Sequence, residues 1–220
     1  SASRFAVSQV VSKEYTRGAI MRATREDIRK SSWQAINDRI TEQNTEKNFD
    51  IVQNEMTVKY GRNSLSALGF RASSGSLTAR LKSLENLNFA WIEEAEEIAE
   101  DEFRQFDDTL RTTQGRIRIV LTLNTPSISH WIIKKWFDVE PSEEARGFYS
   151  LKLKPGVKDV LYIPGTFREN IPNLDRATVE RYQEYKNTTP DYYWKVIEGL
   201  APEVVRGKIY TGWQLTHSIP

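Results

Sequence analysis

The sequence predicts an α/β fold in which a mostly parallel sheet carries helices on both faces. Short apolar stretches alternate with longer stretches whose apolar residues recur at helical spacing, as in proteins built from strand–helix units. The short stretches at 18–23 and 89–92 are apolar almost throughout, which is typical of strands buried on both faces. A chain of 220 residues, 39% of them hydrophobic, is long enough to bury one sizeable core of this kind.

The composition excludes several classes of protein. A net charge of +1 gives no overall attraction to nucleic acid or membranes, although it is compatible with a local basic face. The absence of cysteine excludes a disulfide scaffold and a thiolate metal site. No apolar run approaches membrane-spanning length, so we expect no membrane contact. Ser1 is not a normal translation start, and we therefore expect a piece of a longer chain.

The order of the predicted elements supports this fold class. Up to residue 86 the pattern predicts a helix at 4–14, a strand at 18–23, a helix at 24–43 that Thr24 caps, a strand meander at 51–70 and a polar loop at 71–86. Further on it predicts a strand at 89–92, a helix at 96–110, a strand at 115–124, a helix at 129–138, strands at 147–153 and 160–167, and helices at 173–186 and 190–199. We therefore expect a core at 1–166, a helical subdomain at 167–203 and an exit segment at 204–220.

Two adjacent carboxylates follow one of the apolar strands. Glu93 and Glu94 come directly after Phe89–Ile92, and in a parallel sheet ligands collect at the carboxyl ends of the strands. A carboxylate there can hold a hydrated Mg²⁺, and a second one can orient the water that attacks a phosphoryl group. Alternatively, both residues only begin the acidic first turns of the next helix, where they favour its dipole. The sequence alone leaves both interpretations open.

Two further groups stand where a phosphate could bind, and each also has a purely structural explanation. Thr122, Asn124 and Thr125 follow the next strand and could sense a γ-phosphate, or they could form a polar turn that Pro126 stops. Residues 1–3 (Ser-Ala-Ser) open directly into a helix. A helix N-terminus binds phosphate, but a plain serine N-cap gives the same pattern.

Taken in order, these stretches resemble the ATPase domain of the large terminase subunit of tailed bacteriophages, the motor that packages DNA into procapsids. The resemblance covers nearly the whole chain. Its most specific stretches are LNFAWIEEAEEI, which is similar to the second nucleotide motif, and LTLNTPSISHW, which is similar to the coupling motif and the Ser-His-Trp helix that follows it. The segments RFAVSQVV and MRATREDIRKSSWQAI resemble the helix after the phosphate loop and the second strand and helix.

The resemblance implies a P-loop NTPase fold and a role for each group. Glu93, together with Ser3, would hold Mg²⁺, and Glu94 would be the catalytic carboxylate acting on ATP. Thr122 and Asn124 would couple hydrolysis to movement. Arg80 or Lys82 would reach the ATP of a neighbouring subunit, with Arg80 favoured because its planar fork suits phosphate. The nucleotide-binding residues implied are Ser1, Ala2, Ser3 and Arg4.

The resemblance also implies partners and a location. The partners would be double-stranded DNA, the portal protein, the small terminase subunit and further copies of the chain in a ring. The protein would act in the host-cell cytoplasm, transiently on the procapsid, and would be absent from the mature virion. Segment 204–220 would lead to a nuclease domain that this sequence does not contain, so we expect no DNA cleavage.

One departure from the family pattern concerns the phosphate loop, which reads G-x-x-x-x-G-K-[ST]. If Ser3 matches its hydroxyl residue, Ala2 stands where the lysine belongs, and we expect weak ATP binding and slow hydrolysis. Two alternatives to the motor remain: a RecA-like helicase or recombination ATPase, and an interaction module with an ATPase-like fold.

The remaining candidates favour structural roles. His130 and His217 are the only histidines and have no second metal ligand at suitable spacing. We expect Trp33, Trp131 and Trp136 to pack on apolar helix faces. A basic cluster could face DNA or a partner, but interleaved acids favour the solvated side of a helix. Its members are Arg22, Arg25, Arg29 and Lys30.

Overall fold

The structure is a computed structural model that describes residues 1–42, 46–71 and 86–203. It comprises two compact units, one formed by residues 1–123 and the other beginning at Asn124. Arg80, Lys82 and the segment 204–220 lie outside the described residues.

The first unit is built on a six-stranded sheet of order β2-β3-β4-β1-β5-β6. Its strands are β1 (Arg17–Thr24), β2 (Asp50–Val52), β3 (Thr57–Tyr60), β4 (Asn63–Arg71), β5 (Phe89–Glu93) and β6 (Arg118–Thr122). The pairs β4–β1, β1–β5 and β5–β6 are parallel, whereas the β2–β3–β4 meander is antiparallel. The α/β fold class with a mostly parallel sheet is therefore confirmed, and so is the meander.

Helices cover both faces of this sheet. They are α1 (Ala2–Val11), α2 (Arg25–Lys30), α3 (Ser32–Glu42) and α4 (Glu100–Thr109). Buried side chains of α1 and α3 share one core cluster with Phe89 and Trp91 of β5. On the other face, Phe106 of α4 packs edge-on against Phe70 with ring centroids 5.7 Å apart. Because side chains alternate along a strand, Glu93 points to the same face as Trp91, the face that α1 and α3 cover.

The helix predicted at 24–43 is interrupted. Thr24 caps α2 as predicted, since its side chain accepts from the Asp27 N–H, but Ser31 leaves the helical conformation with φ −125° and ψ −92°. Two helices therefore replace one, and the consequence appears at the site described below. The helix predicted at 96–110 is also shorter than expected, because Ala95–Glu97 forms a separate 3₁₀ turn before α4.

The second unit contains a three-stranded antiparallel sheet of order β7-β8-β9. Its elements are α5 (Trp131–Trp136), β7 (Phe137–Pro141), β8 (Phe148–Leu153), a 3₁₀ helix (Phe167–Asn173), α6 (Arg176–Thr188), α7 (Pro190–Tyr192), a π-helix (Tyr193–Ile197) and β9 (Ala201–Pro202). His130 caps α5, where its Nδ1 accepts from the Ile132 N–H at 3.3 Å. This agrees with its predicted place at a helix start.

The strand predicted at 160–167 is wrong. Residues 160–166 have no regular structure, and Leu161 and Ile163 are 82% and 78% exposed. An apolar, β-branched stretch satisfies the sequence pattern for a strand, but here no neighbouring strand pairs with it among the described residues. The predicted division into 1–166, 167–203 and 204–220 stays a prediction. No helix in the described ranges is long and apolar enough to cross a membrane.

Candidate functional site

Glu93 and Glu94 lie where the central parallel strand β5 ends. Glu93 is the last residue of the strand, and its four predecessors are buried. Glu94 has φ 52° and ψ 49°, the left-handed region that a non-glycine residue seldom adopts. The chain thus turns sharply after one carboxylate and presents the next in a strained conformation. Strain of this kind is often retained at functional positions.

Arg22 neutralises this pair of acids. It lies near the end of β1, the strand beside β5, and its side chain is only 13% exposed. Its Nη2 forms an ion pair and hydrogen bond with Glu94 Oε2, and its Nε lies 3.8 Å from Glu93 Oε2. One guanidinium therefore offsets the repulsion between two adjacent carboxylates in a partly desolvated place.

Two serines complete the surroundings of Glu93. The Ser31 hydroxyl lies 2.8 Å from Glu93 Oε2 and accepts from Arg22 Nη1 at 3.1 Å. The Ser32 hydroxyl, which is fully buried, also donates to Glu93 Oε2. The irregular backbone of Ser31 explains this arrangement. In an unbroken helix, neighbouring residues point about 100° apart and could not both reach one oxygen.

The arrangement fits a hydrated magnesium ion. The hydrogen bonds described for the Glu93 carboxylate fall on Oε2, and its side chain is 25% exposed, so Oε1 can face a ligand. No cluster of three or more His, Cys, Asp or Glu side chains that could hold a metal occurs among the described residues. This excludes an all-protein cage there. It agrees with the way Mg²⁺ binds, through one or two carboxylates, waters and substrate phosphates.

Thr122 lies beside Glu93. The two residues are paired across the parallel strands β5 and β6, as the shared edge of a parallel sheet predicts. Thr122 Oγ1 accepts from Trp91 Nε1 at 3.0 Å, which ties the end of β6 to the core under the carboxylates. Asn124 is exposed and belongs to the second unit.

Residues 1–4 form the first turn of α1. Ser3 is buried, and its hydroxyl lies 3.0 Å from that of Ser1. Arg4 is exposed and pairs with Glu42 at 3.7 Å. Glu42 ends α3, whereas Ser32, which contacts Glu93, begins it; the two ends of that helix are about 15 Å apart. The structure therefore places Arg4 beside the end of α3 remote from the carboxylates. Binding roles for Ser1, Ala2, Ser3 and Arg4 stay predictions.

Sequence reasoning missed three residues of this site: Arg22, Ser31 and Ser32. For Arg22, the expected solvated helix side is wrong, because the residue lies in β1 and its side chain is largely buried. A signal was present, since an arginine within an otherwise apolar strand needs a buried partner. The two serines gave no such signal.

The fold and the site define an α/β protein that presents a neutralised carboxylate pair at the carboxyl ends of parallel strands. The family model described as "Phage terminase large subunit" matches residues 2–200, and the chain belongs to that family. A curated relative is the PBSX phage terminase large subunit of Bacillus subtilis (strain 168). It is 25% identical over 120 residues, which are 52% of this chain and 27% of the relative.

Solved structures share the fold at low sequence identity. The large terminase of a thermophilic bacteriophage has a TM-score of 0.65 at 13% identity and covers 90% of this chain and 44% of its own. The ATPase domain of the Thermus phage P74-26 large terminase has a TM-score of 0.54 at 14% identity and covers 90% and 82%. Other structures of the first protein contain ADP or ATP-γ-S. This chain thus spans less than half of the full-length relatives and has the fold of their ATPase domain.

Proposed function

We propose that this chain is the ATP-hydrolysing motor domain of a phage large terminase, which drives double-stranded DNA into the procapsid. The observation that carries the proposal is the carboxylate pair at the end of β5, held by Arg22 and two serines. Membership of the terminase family supports it, and so do nucleotides bound to a terminase of this fold.

In this proposal the two carboxylates divide the work. Glu94, whose side chain is 39% exposed, orients the water that attacks the γ-phosphate. Glu93 keeps Oε2 fixed by Ser31 and Ser32 and offers Oε1 to the waters around Mg²⁺. Bound Mg²⁺ would supply neutralisation of the phosphate charge. To orient water, the Glu94 carboxylate must exchange its contact with Arg22 for one with the water.

The remaining roles follow the family pattern. We propose that Ser1, Ala2, Ser3 and Arg4 form the phosphate end of the site, with the Ser3 hydroxyl as a second metal ligand. Ala2 occupies the lysine position, so this chain would bind ATP weakly. Thr122 and Asn124 would couple hydrolysis to movement, and Arg80 or Lys82 would act on a neighbouring subunit's ATP.

The proposed assembly is a ring of copies on the portal of the procapsid, in the host cytoplasm, with double-stranded DNA and the small terminase subunit as partners. None of these partners is specified by the described contacts. Family membership alone supports them.

The decisive experiment measures ATP hydrolysis by the full-length natural protein with and without duplex DNA. Glu94→Gln keeps the shape of the side chain but removes the charge that orients water, so we expect the rate to fall at least about 100-fold. Glu97→Gln is the matched control, because Glu97 is an exposed acid only three residues further on, and it should retain wild-type activity. Undiminished hydrolysis by Glu94→Gln would overturn the proposed catalytic role.

The same preparation separates the alternatives. Unwinding of a forked duplex would favour a helicase over a packaging motor. A protein that shows no Mg²⁺-dependent binding of ATP-γ-S in calorimetry, even after Ala2→Lys, would be an interaction module with an ATPase-like fold.

A further inference from the structure

The amino ends of the parallel strands meet at the edge of the sheet opposite the carboxylates. The pairing of β1 with β4, β1 with β5 and β5 with β6 aligns the starts of these four strands. The segments that lead into them therefore form one surface, which we call the amino-end rim. It consists of residues 12–17, 61–63, 86–88 and 110–118.

Two buried asparagines join the segments of the rim. Asn63 donates to the carbonyls of Val10, Ser12 and Glu14 and accepts from the Thr16 N–H at 2.9 Å. These bonds fix the 12–17 segment to the start of β4. Each asparagine is only 3% exposed, so the bonds are shielded from water.

Asn88 makes the corresponding links on the other side. It accepts from the Arg17 N–H at 2.9 Å and donates to the carbonyls of Tyr15 and Gln114 at 2.8 and 3.2 Å. Gly115 lies so close that an added Cβ would be 2.5 Å from Asn88 Nδ2. The rim is therefore a preorganised platform that holds its side chains at fixed positions.

The rim is strongly cationic. It carries six basic side chains and one acid, Glu14, and thus a formal charge of +5 in a chain whose total is +1. The basic residues are Lys13, Arg17, Arg62, Arg111, Arg116 and Arg118. Asp107 and Asp108 in the last turn of α4 adjoin the rim, and it remains cationic when they are included.

The positive charges are available to a ligand. Within the described residues, Arg118 alone of the six forms an ion pair, with Glu14 at 3.1 Å. Lys13, Arg62, Arg111 and Arg116 are exposed. Arg62 stacks over the Tyr15 ring at 5.9 Å, which directs its guanidinium along the rim. Uncompensated like charges held together repel one another, so an anionic partner would stabilise the surface.

We propose that the amino-end rim binds the phosphate backbone of duplex DNA. Five of its six cations are arginines, whose planar fork matches phosphate, and four strands spaced about 4.8 Å apart make it about 14 Å wide. Successive phosphates of one DNA strand rise about 3.4 Å along the axis, so the rim can face about four of them. DNA as the polyanion rests on the proposed packaging function, whereas the cationic surface does not.

The surface is separate from the carboxylate site. Phe89 and Glu93 stand at opposite ends of β5, about 13 Å apart. Changes in the rim should therefore leave DNA-independent ATP hydrolysis unaltered, which allows the two proposals to fail independently.

The test uses fluorescence anisotropy of a labelled 20-base-pair duplex with the full-length protein, without ATP, over a series of NaCl concentrations. Lys13→Ala/Arg116→Ala removes two side chains that make no hydrogen bond or ion pair in the described structure, so folding is preserved. The slope of log K against log salt should become shallower by about 1.8, and binding near 0.1 M salt should weaken about tenfold or more. The control Arg176→Ala/Lys186→Ala removes two exposed cations of α6.

An unchanged salt slope in the rim variant, with a wild-type melting curve, would overturn the proposal. Equal losses in the rim and control variants would do the same, since they would show a general charge effect. A rim variant that loses binding to poly-glutamate but not to the duplex would assign the surface to an acidic protein instead. If Glu94→Gln hydrolyses ATP normally while the rim slope changes as expected, only the motor proposal fails.

Discussion

The Arg22 guanidinium at the end of β1 forms an ion pair with the Glu94 carboxylate that follows β5. The same arginine lies 3.8 Å from Glu93, so one cation serves two acids at neighbouring strand ends. The pair holds Glu94 in its left-handed conformation and away from any other partner described for it. Arg22 is thus the residue whose removal most directly changes the state of the carboxylates.

Arg22→Ala should destabilise the protein by about 1–2 kcal/mol. Removing one partner of a fully buried pair costs more, but Glu94 is 39% exposed and water screens the charge that remains. Urea unfolding measures the loss. A double-mutant cycle with Glu94→Gln should give a coupling energy of about 1 kcal/mol. Purely additive effects of the two changes would contradict the ion pair.

Ser32→Ala should separate metal affinity from stability. The change removes a buried hydroxyl that donates to Glu93 Oε2, so we expect a loss of about 1 kcal/mol in unfolding free energy. With Oε2 no longer fixed, half-maximal binding of ATP-γ-S should require several-fold more Mg²⁺. Ser127→Ala, at another buried serine, is the control for stability alone. An unchanged Mg²⁺ requirement would show that Ser32 only packs.

The sequence predicts the site only partly, for a physical reason. That Glu93 and Thr122 would share an edge follows from parallel strands, whose carboxyl ends meet. The Arg22 contact depends instead on β1 lying beside β5, an order that local pattern does not encode. The break at Ser31 also escapes prediction, because residues 24–43 keep helical spacing and the backbone bends to bring two hydroxyls to Glu93. Tertiary contacts override local propensity at both points.

Glu102 should give the stability of the first unit a specific acid dependence. Burial raises the pKa of this carboxyl, but the hydrogen bonds from Arg71 and from the Ala99 N–H outweigh burial and leave the pKa below its usual value. A lowered folded-state pKa means that the stabilisation is full above the ordinary carboxyl pKa and disappears as the pH falls through the lowered one. Glu102→Gln should therefore cost about 0.5–1 kcal/mol at pH 7 and nothing below about pH 3.

Thermal melting between pH 2 and 8 measures this dependence. Glu100→Gln, an exposed acid in the same first turn of α4, is the control and should shift the curve little. A constant difference between wild type and Glu102→Gln at every pH would show that the effect comes from the helix cap and not from the charge.

Gly69 should tolerate no side chain. It pairs with Arg22 across β4 and β1, and a Cβ there would lie 2.6 Å from the Arg25 backbone nitrogen and 3.0 Å from the Thr24 carbonyl carbon. These are backbone atoms at the start of α2 and cannot rotate away, so Gly69→Ala should cost about 2–3 kcal/mol. It should also displace Arg22 and Ser31 from the carboxylates and lower nucleotide affinity. Gly165→Ala, where nothing lies within 4 Å, is the matched control and should change neither. Wild-type unfolding of Gly69→Ala in urea would contradict the close approach of β4 and α2.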